Sequence, residues 1–401
     1  SDPVSRTDVG GGILDLFANG YFQRQGNIYN TPGDAFYEAS GGVISEYTDS
    51  GTVYRAHVFT TSGSLVITQV ASGEADTDID FLVVGGGGSA GNNYGGAGGA
   101  GGFRSSVVAP GGPGTSAESA LTLTAGTYPV VVGGGGAKTS IEQDSGNRGG
   151  ASTFSTITAV GGGGGGTANP GTGVGVPGGS GGGGADLGPT RPNAGGTANR
   201  DSSNNPAPTQ GYAGGAVNGS SGAGGYASAG GGGAGGAGTS VTGGTPGQGG
   251  HGGAGKLCNI AGPDNNGVGA PGPSAGRWFA GGGGGSGYSN PNQGGSGGGP
   301  GGPYAGGGKG AAYDPNATGT DGTAGTGGGG GGSSPGGSPN NNKAGMQGGS
   351  GVVIVRYVIG QATETARATG GSVSFYGGKT IHAFTSSGTF ASVNSGPNAW
   401  Q

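Results

Sequence analysis

Apolar residues in this chain come in short runs that stop abruptly in glycine. "FLVVGGGG" (81–88), "YPVVVGGGG" (128–136) and "FSTITAVGGGG" (154–164) end this way, while "SGVVIVRYVIG" (350–360) begins after glycine. The runs are four to eight residues long and rich in β-branched and aromatic side chains, with turn residues between them. This pattern predicts strands at 53–59, 64–70, 79–84, 105–108, 120–124, 128–132, 153–160 and 352–358, arranged as an antiparallel β-sandwich. No 3.6-residue apolar period runs through the glycine stretches. Each glycine in a helix costs roughly 1 kcal/mol against alanine, so essentially no α-helix is expected.

Composition changes the picture of what lies between the strands. The 401 residues include 117 glycines and 22 prolines. Collagen is excluded, because stretches such as Gly171 to Pro177 and Gly161 to Gly166 keep no three-residue register. Disorder is the competing reading of such a composition. Disordered chains, however, carry high net charge and few β-branched or aromatic residues. Here charged residues make up 9% and the net charge is −5, so an ordered fold is expected. A glycine tract has no side chain to bury, yet it can adopt the extended left-handed helix of about three residues per turn. That helix leaves its N–H and C=O groups pointing outward, and these must be paired when buried. Packed side by side, such helices pair with one another, and glycine at the contacts permits the approach. Each bond nets about 0.5–1.5 kcal/mol against roughly 1–2 kcal/mol of backbone entropy per residue. The bundle must therefore be dense and clamped by the strands.

An internal repeat organises the chain. "ASGGVISEYTDSGTVYRAHVFTTSGSL" (39–65) matches "ATGGSVSFYGGKTIHAFTSSGTF" (368–390) with a four-residue deletion. His57 and Phe59 correspond to His382 and Phe384, which points to packing roles for all four. Three parts follow: a connector or docking segment at 1–38, a glycine-rich domain at 39–360, and the start of a second copy or a C-terminal extension at 361–401.

Charge and special residues narrow the chemistry. Fifteen basic against 20 acidic residues give no basic stripe, so nucleic acid is not an expected partner. No apolar run approaches the roughly 18–20 residues of a membrane span. Ser1 opens no signal peptide, and the chain reads as a segment or a processed product. Cys258 stands alone, which excludes an internal disulfide and suits a small buried residue.

Several motifs approach known sites and fail their context. Gly86 to Gly91 satisfies G-x-G-x-x-G, but no helix follows and the next acid is Glu118. "GHGGAGKL" (250–257) nears a phosphate loop, yet Leu257 stands where a hydroxyl should hold magnesium. Asp76, Asp78 and Asp80 alternate, as on the solvated face of a strand whose Ile79 and Phe81 face the core. Asp314, Asn316 and Gly319 space like a calcium loop, but Gly325 replaces the closing glutamate. No catalytic residue, metal or cofactor is expected.

Aromatics punctuate the tracts: Tyr94, Phe103, Tyr212, Tyr226, Trp278, Phe279, Tyr288, Tyr304 and Tyr313. Trp278 and Phe279 read as packing residues. The least repetitive stretches, 168–177, 186–212, 257–274 and 311–322, read as loops between tracts, where recognition usually resides. Arg191, Asn204, Tyr212, Tyr304, Tyr313 and Asn316 are the receptor-binding candidates.

The series "HVFTTSGSL", "FLVVGGGG", "AGTYPVVVGGGG", "WFAGGGGGSG" and "GGSGVVIVRY" resembles the glycine-rich domain of phage tail-fibre and related virion proteins over residues 39–360, with the partial second copy at 368–390. Polyglycine helices packed into a sandwich are found in adhesins at the tips of T-even-type phage fibres. The glycine-rich region of the anaplastic lymphoma kinase receptor is also similar, though the lone cysteine departs from its disulfide-bearing setting. The resemblance implies a virion structural or host-recognition role and supplies no catalytic residues. It implies as partners other virion proteins, copies of the chain itself as a homo-oligomer such as a trimer, and a host surface glycan or protein. A cellular surface filament or matrix protein is the alternative. A polysaccharide depolymerase would need paired carboxylates, and acids outside 74–80 are sparse.

Overall fold

The computed structural model describes residues 35–72, 76–114, 116–139, 144–168, 173–186, 193–218, 226–242, 247–262, 267–287, 294–312, 319–334, 344–361, 368–369, 372–376, 379–384 and 387–392. Among these the protein is all-β. In chain order come β1 (Glu38–Ser40), β2 (Val43–Asp49), β3 (Thr52–Phe59), β4 (Gly63–Gln69), β5 (Ile79–Val84), β6 (Phe103–Ser105), β7 (Gly126–Val131), β8 (Ser152–Phe154) and β9 (Ile157–Ala159). Two-residue strands follow within the glycine-rich stretch: β10 (Val217–Asn218), β11 (Val241–Thr242), β12 (Lys256–Leu257) and β13 (Trp278–Phe279). The chain then forms β14 (Val352–Gln361), β15 (Ala368–Thr369), β16 (Ser372–Tyr376), β17 (Lys379–Ala383) and β18 (Ala391–Ser392).

Two five-stranded antiparallel sheets form the sandwich, in the orders β1-β4-β7-β8-β9 and β2-β3-β14-β5-β6. Their facing sides bury one core, with Leu65 and Phe154 from the first sheet against Phe59, Phe81, Val355 and Tyr357 from the second. The opposite side of the second sheet is covered as well: Val58, Leu82, Ile354 and Phe103 of the sheet pack on Cys258, Ile260 and Phe279. A sheet buried on both faces needs continuous apolar runs rather than alternation. That is why "FLVV" and "VVIV" read as they do, with Phe81 to Val84 and Val352 to Val355 fully buried.

The strand expectations differ from the structure in detail. The run at 153–160 is a hairpin, because Ser155 takes φ +50° and splits it into β8 and β9. Residues 120–124 contribute a single bridge, Ile79 to Leu121, and the strand expected at 105–108 ends at Ser105. The acidic alternation dissolves too. The strand begins at Ile79, Asp76 and Asp78 are exposed before it, and Asp80 is half-buried against Arg356.

Two polar clusters tie the elements together. Arg356 on β14 donates from Nε to Asp80 at 2.9 Å and from Nη1 to the Tyr47 hydroxyl at 2.7 Å, and lies 4.4 Å from the Tyr54 ring centroid. The Tyr47 hydroxyl donates to the Ile260 carbonyl at 2.7 Å, and burial pushes its pKa up to about 12. This arrangement fastens the outer face of the sheet to the loop beyond β12.

His57 forms the second cluster. It is fully buried, with Nδ1 2.7 Å from the Gly41 carbonyl and Nε2 2.9 Å from the Tyr357 hydroxyl. The carbonyl fixes the proton on Nδ1, so Tyr357 donates to Nε2. Burial first, and then Arg55, hold its pKa below the ordinary histidine value. A depressed histidine favours the folded state fully above the unfolded pKa of about 6.5, and that contribution is lost as pH falls below it. The denaturation midpoint is therefore expected to fall between pH 7 and pH 5, with a shallower fall in His57→Gln. Equal pH slopes in both proteins would remove His57 as the cause.

Candidate functional site

The glycine tracts form the largest ordered feature outside the sandwich, and backbone hydrogen bonds build it. Tract 85–92 directs its N–H groups in rotation to three neighbours. Gly85, Gly88 and Gly91 donate to Gly102, Gly99 and Gly96; Gly86 and Ser89 to Gly150 and Asn147; Gly87 and Ala90 to Gly349 and Met346, all at 2.8–3.0 Å. Its carbonyls accept from three further tracts, through Gly162 and Gly165, Gly136, and Gly330. Six neighbours thus surround one strand of backbone. Tract 228–234 repeats the scheme: Ser228, Gly231 and Ala234 donate to Ser286, Gly283 and Ala280, Ala229 and Gly232 to Gly184 and Gly181, and Gly230 and Gly233 to Thr239 and Gly236. Every third residue faces the same neighbour, the period of the three-residue extended helix.

Close approach explains the glycine. A Cβ on Gly88 would lie 2.1 Å from the Gly163 carbonyl oxygen, on Gly98 2.0 Å from that of Gly88, and on Gly283 2.1 Å from that of Gly330. Where alanine does occur, at Ala90, Ala97, Ala100 and Ala229, it is fully or almost fully buried in gaps that accept one methyl group. The same pairing disposes of the phosphate-loop resemblances. The amides of Gly86, Gly88 and Gly91 are spent on other tracts, as are those of Gly250, Gly252 and Gly253, which donate to Ser228, Ser296 and Gly231. Lys256 gives its ammonium to the Ala109 carbonyl at 3.0 Å, and burial lowers its pKa. Cys258 is buried, its thiol pushed up to about 11 by desolvation, as befits a packing residue. Among the described residues no three His, Cys, Asp or Glu side chains gather as a metal site.

The bundle has two distinct ends. Tracts leave the sandwich from β5, β7 and β9, and one returns into β14. At the far end Asn92 is the hub, 2% exposed. Its Oδ1 accepts from Thr139 Oγ1 at 2.5 Å and from the Gly345 amide at 2.7 Å, and its carbonyl accepts from Thr167 Oγ1 at 3.1 Å. Nearby, Tyr94 and Tyr226 pair with ring centroids 4.8 Å apart. Described tract ends that flank 140–143, 169–172, 187–192, 219–225, 288–293, 313–318 and 335–343 lie at this end, as their bonds to tract 85–92 and its neighbours require.

The candidate recognition residues divide accordingly. Arg191, Tyr313 and Asn316 lie outside the described residues, as does Asp314 of the calcium-like spacing. Asn204, Tyr212 and Tyr304 are found at the sandwich end. Asn204 is exposed in a turn at φ +63°, held by Asp201, whose carboxylate accepts from the Ser203 and Asn205 amides at 2.9 and 2.8 Å. Tyr212 is half-buried, its backbone bonded to Gly233 and Gly181. Tyr304 is half-buried with its amide on the Gly297 carbonyl. Trp278 is half-buried and donates Nε1 to the Ser274 carbonyl, while Phe279 is fully buried.

Two organising residues escaped the sequence reading. Asn92 is one, and Gln210 is the other: fully buried, it accepts the Val160 amide on Oε1 at 2.8 Å and the Phe103 amide on its carbonyl. Neither stands out in the sequence: Asn92 is followed by Asn93, and Gln210 closes the polar stretch "DSSNNPAPTQ".

A family model described as a glycine-rich domain matches residues 60–303. No curated protein matches the chain. The matched span covers more than half of the sequence and takes in both the strands β4 to β13 and most of the tracts, so the chain belongs to the glycine-rich domain family.

Proposed function

We propose that the chain is a virion structural protein, a tail-fibre or adhesin segment that extends from the particle and carries recognition loops. The observation that supports this reading is the division of the bundle into a clamped end and a far end where the described ends of successive tracts collect. A rigid scaffold whose connections collect at one end is a common way to present variable loops. The resemblance of "GGSGVVIVRY" and its companion motifs to virion glycine-rich domains points the same way. In this reading the module has no catalytic task and no cofactor. It works outside the cell as a homo-oligomer, with a trimer as the simplest fibre, and meets a host surface glycan or protein. Several copies raise avidity by about 10²–10⁴ over one site, so each loop contact can be weak.

Loop exchange tests it. Replacing 187–192 or 313–318, which spares Gln210 and the bonded tract residues on either side, with the matching segments of another such protein should change which cells the protein binds, and leave its thermal unfolding within a few degrees of the parent. Cell binding that survives both exchanges would make this module a shaft and move recognition elsewhere.

A further inference from the structure

A pocket of about 600 Å³ opens where the outer face of the second sheet meets the glycine bundle. Its most buried side chains, Val58 of β3 and Val268, are 3% and 9% exposed and form the floor. Val43 of β2 stands directly across the ladder from Val58 and is 61% exposed. The turn at 323–325 and Ser350, which precedes β14, complete the lining. That turn is fixed by its own bonds. Thr326 Oγ1 donates to the Thr323 carbonyl at 2.6 Å, the Gly325 amide to Ser350 Oγ at 3.0 Å and the Gly327 amide to the Ser350 carbonyl at 2.8 Å. Gly325 takes φ +73°, and a Cβ there would lie 3.2 Å from Val268 Cγ1, so the turn closes against the floor.

The chemistry of the lining is narrow. The described lining residues include no charged and no aromatic side chain. Three hydroxyls, those of Thr60, Thr323 and Ser350, stand among the valines. The Thr60 and Thr323 hydroxyls have no hydrogen-bond partner among the described residues. Ser350 Oγ accepts from Gly325 and gives its own hydrogen to no described acceptor. A charged ligand would give up hydration here without gaining an ion pair. A purely aliphatic one would strip the hydroxyls of water and leave them unpaired. What fits is a neutral molecule that is apolar on one face and rich in hydroxyls around its edge.

We propose that this pocket binds a neutral sugar ring, with its C–H face on Val43, Val58 and Val268 and its hydroxyls on Thr60, Thr323 and Ser350. The volume falls in the range of roughly 300–1,000 Å³ found for ligand pockets. With no ionic or aromatic anchor each site binds weakly, with a Kd on the order of millimolar. The proposal gives the surface-glycan part of the functional reading a chemical class, and rests on that reading only for the source of the sugar. The pocket lies apart from the far-end loops, so loop exchange and the test below fail separately.

The test titrates methyl glycosides of glucose, galactose and mannose, each beside its uronic acid counterpart, into the full 401-residue chain. NMR of the valine methyl groups reads binding. At least one neutral glycoside should shift the Val43, Val58 and Val268 signals to saturation, and its uronate should bind at least about tenfold more weakly. Ala324 is exposed in the lining, so Ala324→Phe should block binding. Thr323→Val, which keeps the shape and removes a hydroxyl, should weaken it by about three- to tenfold. Both variants should melt within about 2 °C of the parent. The proposal is overturned if no neutral glycoside saturates these signals, if the uronates bind equally well, or if binding ignores both substitutions.

Discussion

Gly283→Val should destabilise the protein by about 3–6 kcal/mol and lower its melting temperature by about 10 °C or more. A Cβ at this position would lie 2.1 Å from the Gly330 carbonyl oxygen and 3.2 Å from the Ala97 methyl group, both on neighbouring tracts. Backbone cannot swing aside as a side chain can. Relief requires the tracts to part by more than about 1 Å, which stretches the bonds from Gly283 to Gly98 and from Gly231 to Gly283 beyond their 3.0 and 2.9 Å. Each buried group left without its partner costs about 1–3 kcal/mol. Gly233→Val should behave alike, its Cβ falling 2.3 Å from the Ala254 oxygen. Gly134 is the control. It belongs to the same kind of tract and its carbonyl accepts from Gly150, but a Cβ there meets nothing within 4 Å. Gly134→Ala should leave thermal unfolding within about 2 °C of the parent. If Gly283→Val and Gly134→Ala melt alike, close approach is not what selects glycine.

The sequence exposed the fold where burial is on both sides of a strand. "FLVV" and "VVIVRY" stand out because neither face can be polar, and they are the two central neighbours β5 and β14. It failed where a turn carried no turn residue: Ser155 reverses the chain without glycine, proline or asparagine, so β8 and β9 read as one strand. The N-terminal strands β1 and β2 were visible only as half of a repeat, since "GGVISEYTD" lacks an apolar run. Glycine as the bundle's material was legible from composition and the absence of a helical pattern. Which tracts touch was not, because identical residues carry no information about partners. The far-end hub Asn92 and the inserted Gln210 are invisible for the same reason, their meaning coming entirely from the backbone groups around them. Asp80 and Arg356 are 276 residues apart, a pairing that only the central position of β14 explains.

Amide hydrogen exchange directly distinguishes a hydrogen-bonded bundle of tracts from linkers between strands. Linkers expose their amides and exchange at the rate of an unstructured chain. In the bundle, Gly88, Gly98, Gly231 and Gly283 are buried and donate to Gly99, Gly330, Gly283 and Gly98, at 2.8–3.0 Å. No tract amide of this kind can open alone, because its tract is bonded to several neighbours at once. Exchange should therefore require sub-global opening and be slowed by three orders of magnitude or more, on the order of 4 kcal/mol of local stability. Measured peptide by peptide across 85–102 and 228–255, the account predicts protection comparable to that of β5 and β14. Rapid exchange throughout both stretches, with protection confined to the sandwich strands, would contradict it.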